Sequence, residues 1–140
     1  MDFLTTQNRA RFFEIWSKAK SGLPLEGEEA LFADIMLEHR EHHPLFDLGE
    51  AAFEIDFSGR REINPFLHTS LHAVVEQQIQ SGRPAETEQA VAALQARGES
   101  RHDAIHRIGA LLAQALYDAV TRNRPIDEAR YISNLKEFIF

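Results

Sequence analysis

Three pairs of histidines in this chain, His39 with His43, His68 with His72 and His102 with His106, share the spacing His-x-x-x-His. Residues four apart on a helix lie on one face, close enough for both imidazoles to hold one ion. The two histidines of an H-E-x-x-H zinc site use that geometry. Seven histidines scattered at random over 140 residues would give roughly 0.3 pairs at this helical spacing. Three pairs exceed that, and the chemistry they point to is metal ligation. His42 alone lies outside the pairs, between His39 and His43.

Nearby carboxylates extend the pattern. Glu76 lies four residues after His72 and continues the row His68-His72-Glu76. Glu99 lies three before His102, the Glu-x-x-His spacing of di-metal carboxylate bundles, which use two such copies where this chain has one on a clear helix. With no cysteine, any ligand must offer nitrogen or oxygen. The candidate ligands are His68, His72, His102 and His106 first and His39 ahead of His43 as the fifth, with Glu76 and Glu99 beside them. Imidazole with carboxylate suits Zn, Fe, Ni or Mn, and spacing does not choose among them. An ion with an open position would activate water or thiol, with Glu76 or Glu38 as general base, so a metal-dependent hydrolase or transferase is expected. Glu38 and Asp103 are further carboxylates at hand, either as ligands or as acceptors that orient an imidazole. His39-Arg40-Glu41-His42-His43 is not a zinc-protease motif, because Glu41 is two residues from His39 and projects to a nearly opposite helix face.

The alternative is a non-enzymatic binding or regulatory module. Its histidines form a metal-free, pH-sensitive polar network, and Phe138-Ile139-Phe140 docks a partner or a second copy of the chain.

Helices must position these groups. Residues 7–19 carry Phe12, Phe13, Ile15, Trp16 and Ala19 at helical spacing, with Thr5 or Thr6 as N-cap and Ser21-Gly22 and Pro24 as the stop. A second helix is expected from residue 26 to residue 42 or 43, with Leu31, Phe32 and Ile35 on one side and early acids Glu26, Glu28 and Glu29 at its positive end. Pro44 disfavours helix at His43, which weakens the first pair. Residues 44–63 read as irregular, with a short helix within 48–55, a few strand-like residues at 53–57 and a turn at Ser58-Gly59. Phe46, Phe53, Ile55 and Phe57 are expected to fold this segment over the core as a lid.

Asn64-Pro65 is a strong helix start, an N-cap followed by proline where a missing N–H costs nothing. That helix should reach residue 80, with Leu67, Leu71, Val74, Gln78 and Ile79 inward and His68 and His72 on the shoulder. Residues 85–97 form the next helix, with Val91 and Leu94 inward and Gly98 as its stop. Residues 99–121 follow, with Ile105, Ile108, Leu112, Leu116 and Val120 as the core stripe. Gly109 in that helix implies close helix contact, since glycine there costs about 1 kcal/mol against alanine. Residues 127–138 complete the set, with Tyr131, Ile132, Leu135 and Phe138 apolar. The expected fold is all-α, one helical domain over residues 1–140 with five to six helices.

Composition sets the remaining bounds. The chain carries 44% hydrophobic and 26% charged residues with a net charge of -7. That balance disfavours nucleic acid, which needs clustered Lys and Arg, and Arg60-Arg61 forms no stripe. No apolar run approaches the roughly 20 residues that span a bilayer, so no membrane partner is expected. Met1-Asp2-Phe3-Leu4-Thr5 has neither a basic nor an apolar leader region, and the expected location is the cytoplasm.

The stretch Asn64-Pro65-Phe66-Leu67-His68 with Leu71-His72, preceded by Phe12-Phe13-Trp16 and followed by residues 102–109, resembles a bacterial family of short all-helical proteins with no assigned function. The resemblance implies an all-α fold and brings no activity, cofactor or catalytic residue. A looser, architectural likeness is to DinB-type four-helix bundles, which hold a metal with one histidine and a His-x-x-x-His pair. That likeness implies His39 or His68 as the single ligand and His102 with His106 as the pair.

Overall fold

The computed structural model describes residues 6–52 and 64–140, and its regular elements are helical as the periodicity requires. Among the described residues there are seven α-helices, two short 3-10 helices and no strand. They fall into two compact units, Met1–Ala73 and Val74–Phe140.

The first unit contains α1 (Thr6–Lys20), α2 (Gly27–Glu38), α3 (His43–Asp47) and the first half of α4 (Pro65–Ser81). Its core is aromatic: Phe12, Trp16, Phe46 and Phe66 pack with Ile15, Ala33, Met36 and Ala52. The Phe12 and Phe66 rings lie 5.5 Å apart, and Trp16 sits 5.4 Å from Phe46. Polar atoms at its edge are satisfied. The Trp16 indole donates to Asp47 Oδ1 at 2.9 Å, and Arg9 donates to the Ala52 carbonyl at 3.2 Å.

The second helix is shorter than expected. It stops at Glu38, because His39 takes φ -96° and ψ 76° as its C-cap while its N–H still bonds the Ile35 carbonyl. A 3-10 helix, Arg40–His42, follows, and α3 then starts at His43. His43 is helical (φ -57°, ψ -41°) despite the proline that follows it. Pro44 sits in the first turn, where its missing N–H has no helical partner to lose. His39 and His43 therefore do not share one continuous helix, and the first histidine pair is broken. Phe46 is buried as expected, and residues 49–52 of the anticipated short helix form a 3-10 turn. Phe53, Ile55 and Phe57, the turn at Ser58-Gly59 and the lid role lie outside the described residues, as does Thr5.

The second unit contains the rest of α4, α5 (Ala85–Ala96), α6 (Arg101–Thr121) and α7 (Glu128–Ile139). Ala90, Val91, Leu94, Ile105, Ile108, Leu112, Tyr131 and Leu135 are buried. Val120, expected in the stripe, is 70% exposed. Steps of four along a helix drift about 40° each, so three steps from Ile108 carry Val120 about 120° off the core. Ala119 is buried there instead.

Helix α6 also starts later than the spacing implied. Gly98 (φ 100°) closes α5, and the Glu99 N–H bonds back to the Leu94 carbonyl at 3.2 Å. This is a Schellman ending, which spends Glu99 on α5. The Ser100 hydroxyl then accepts the Asp103 N–H at 3.1 Å and opens α6. Glu99 is thus not on the helix of His102, and the Glu-x-x-His row does not form there.

Gly109 was expected at a close helix contact. A Cβ added there meets nothing within 4 Å among the described residues. Gly109→Ala should therefore raise stability by about 1 kcal/mol through helix propensity alone. Urea unfolding checks this; a loss of stability would show hidden crowding.

The Tyr131 and Thr87 hydroxyls both donate to Gln78 Oε1 at 2.8 Å. Burial pushes the Tyr131 hydroxyl pKa up, and the bonds with Thr87 and Gln78 oppose this. Its folded value thus lies above the unfolded value of about 10. The resulting contribution to stability is full below that pH and is lost as pH rises through the folded value. Tyr131→Phe should cost about 1 kcal/mol at neutral pH and flatten the alkaline limb of a stability–pH profile. An unchanged alkaline limb would contradict this assignment.

Candidate metal centre

Helix α4 brings the central pair into place. Asn64 Oδ1 accepts the Phe66 N–H at 2.9 Å, and Pro65 takes the first helical position, as the sequence predicts. The Thr69 and Ser70 hydroxyls, buried inside the helix, donate back to the Pro65 and Phe66 carbonyls at 2.9 Å each. His68 and His72 then stand one turn apart, His72 buried and His68 half-buried.

His39 meets them from the end of α2. It is 1% exposed, and its Nδ1 lies 2.7 Å from the Ile35 carbonyl oxygen. A carbonyl only accepts, so Nδ1 carries the proton and Nε2 presents its lone pair. That Nε2 is 3.1 Å from Nε2 of His68. The His39 ring stands edge-on to both partners, with centroids 4.8 Å from His68 and 5.2 Å from His72. The ligand nitrogens of His39, His68 and His72 lie within 4.8 Å of one another. Two nitrogens on a tetrahedral zinc, each about 2.0–2.1 Å from the ion, stand ~3.3 Å apart. Rings at this spacing could hold a metal ion.

His42 joins this group, which its position between His39 and His43 did not foretell. Its ring is parallel to that of His39 at 5.6 Å and stands 5.2 Å from His68. A 3-10 helix has about three residues per turn, so side chains three apart eclipse. The available signal was the end of α2 at His39, not the spacing of pairs. His43 goes elsewhere: its Nε2 donates to the Met36 carbonyl at 2.9 Å, and its ring packs 4.7 Å from Trp16.

The carboxylates are arranged differently from the rows expected of them. Glu76 accepts two hydrogen bonds from the Arg101 guanidinium, at 2.6 and 2.9 Å. Glu99 pairs with Arg107 at 2.8 Å. Glu38 ends α2 on the exposed surface, and Asp103 is likewise exposed. Glu41, set aside in the sequence, is the carboxylate that responds to the cluster. A hydrogen bond from its own backbone amide lowers its pKa most, burial opposes this, and His39, His42 and His68 add to the lowering. In the second unit, the half-buried His102 and His106 rings lie tilted against each other on α6 with centroids 4.1 Å apart.

Fold and side chains together define an all-α protein with a cluster of histidines. The chain belongs to the family described as Domain of unknown function (DUF1841), whose model matches residues 5–137. No curated protein and no solved structure matches it. The family fits the resemblance to short helical proteins, while nothing in these comparisons bears on the DinB likeness. No helix among the described residues is long and apolar enough to cross a membrane.

Proposed function

We propose that this protein binds a divalent transition metal through ring nitrogens of His39, His68 and His72. One observation carries the reading: His39 donates Nδ1–H to the Ile35 carbonyl while its Nε2 lies 3.1 Å from that of His68. Metal-bound histidines almost always anchor their other ring nitrogen in this way, which fixes tautomer and ring orientation. With Glu76 and Glu99 held by arginines, the donor set is all imidazole. That favours Zn, Ni or Fe over Mn, which prefers oxygen.

Three histidines with an exchangeable fourth position support hydrolase or transferase chemistry, in which the ion would activate water or a thiol. Glu41 is better placed than Glu76 as the accompanying carboxylate.

Calorimetric titration of chelator-stripped protein tests the reading. Zinc should bind at one equivalent. The second reading, a metal-free polar network, is favoured by the same 3.1 Å separation, which also suits an N–H···N hydrogen bond. Absence of a saturable heat with Zn, Ni and Fe would replace the first reading with the second.

A further inference from the structure

The pair His102 and His106 is not used by the centre proposed above, and its geometry suits a different ion. Both residues lie on α6, which runs unbroken from Arg101 to Thr121, so their side chains are held one turn apart on one face. Both are half-buried, and each keeps part of its surface open to solvent. Their rings are tilted by 53° with centroids 4.1 Å apart.

The separation bears on coordination geometry. With a metal–nitrogen bond of about 2.1 Å, two imidazoles sharing one ion place their ring centres roughly 4.6 Å apart at about 90° and roughly 5.3 Å apart at the tetrahedral angle. The observed 4.1 Å falls on the right-angle side. Adjacent positions at a right angle belong to square-planar and tetragonal ions, Cu(II) and Ni(II) among them.

Charge around the pair accommodates a dication. Two cations flank it on α6, and each is held by a carboxylate of the same unit. Arg101 donates to both oxygens of Glu76 at 2.6 and 2.9 Å, and Arg107 pairs with Glu99 at 2.8 Å. Asp103, next to His102, is exposed and acidic. The positive end of α6 opposes a cation at His102, and these three carboxylates offset it.

We infer that His102 and His106 form a chelating site for Cu(II) or Ni(II), independent of the centre on His39, His68 and His72. Water fills the remaining positions of the ion. An ion bridging one helical turn binds only the folded helix, so it also stabilises the folded chain by mass action.

Nickel titration of the untagged full chain carrying His68→Ala tests the pair, because that change removes the affinity of the other centre. Calorimetry should find one saturable nickel site, tighter for nickel than for zinc, and the melting temperature should rise as nickel is added. Adding His102→Ala or His106→Ala to that variant should weaken nickel binding about tenfold or more, with unchanged circular dichroism. In the unsubstituted chain preloaded with one equivalent of zinc, nickel should broaden the His102 and His106 ring resonances together in NMR, a readout that does not depend on the folding of His68→Ala. No nickel site in folded His68→Ala, tighter binding of zinc than of nickel, or no broadening of both rings would overturn the site. Loss of affinity on His106→Ala with none on His102→Ala would overturn it too, since the pair would then not be the binding unit. Failure of the zinc centre leaves these results unchanged, so the two readings fail separately.

Discussion

Truncating Phe66 to alanine is expected to lower stability by about 3–5 kcal/mol, the largest effect of any single core change in the first unit. Phe66 is fully buried and meets Phe12, Phe13 and Phe46 with ring centroids 5.5, 5.7 and 6.1 Å away. The Arg9 guanidinium covers its ring at 4.9 Å, so truncation also removes a cation–π contact. Neighbours on α1, α3 and α4 would all have to move to fill the void. Phe66 is also two residues before His68, so any collapse shifts the start of α4 and the imidazoles on it. Urea unfolding followed by circular dichroism measures the effect, with the slope unchanged if the transition stays cooperative. A loss under ~1 kcal/mol would mean that this aromatic cluster is not the core.

The second large effect separates the histidines by role. His39→Ala, His68→Ala and His72→Ala should each weaken zinc binding about 100-fold or more, since even partners of a ligand cost 10–100-fold. His43→Ala should leave zinc affinity unchanged and cost about 1 kcal/mol of stability instead, from its bond to the Met36 carbonyl. The pair His39 and His43 looks equivalent in sequence, so this contrast tests geometry and not composition. Equal losses of affinity at both positions would remove His39 from its assigned place.

Much of the fold was legible because its signals are local. Asn64-Pro65 and the apolar rows of α1, α5, α6 and α7 specify helices without reference to anything distant. The two departures in this part have local causes too. Glu99 belongs to the Schellman ending at Gly98, and the four-residue stride to Val120 drifts off the core face. The end of α2 was not legible. Residues 39–43 have no helix stop before Pro44, and what ends the helix at Glu38 is the turn that buries His39 against α4.

The site was legible only in part for the same reason. Reading pairs at helical spacing identifies His68 and His72 because α4 is continuous through them. It cannot find His42, which depends on a 3-10 turn, nor set His43 aside, which depends on Trp16 on a different helix. Glu76 and Glu99 stood at suitable spacings, and the arginines that hold them, Arg101 and Arg107, declare themselves only in three dimensions.

Metal analysis of the full chain, expressed without a histidine tag and purified without chelator, is the most direct test of a histidine metal centre. Inductively coupled plasma measurement should find close to one equivalent of a single transition metal, and stripping it should lower the melting temperature until zinc or nickel is returned. Less than a tenth of an equivalent of any transition metal, with no thermal shift on adding Zn, Ni, Fe or Mn, would contradict it and leave the cluster as a polar network.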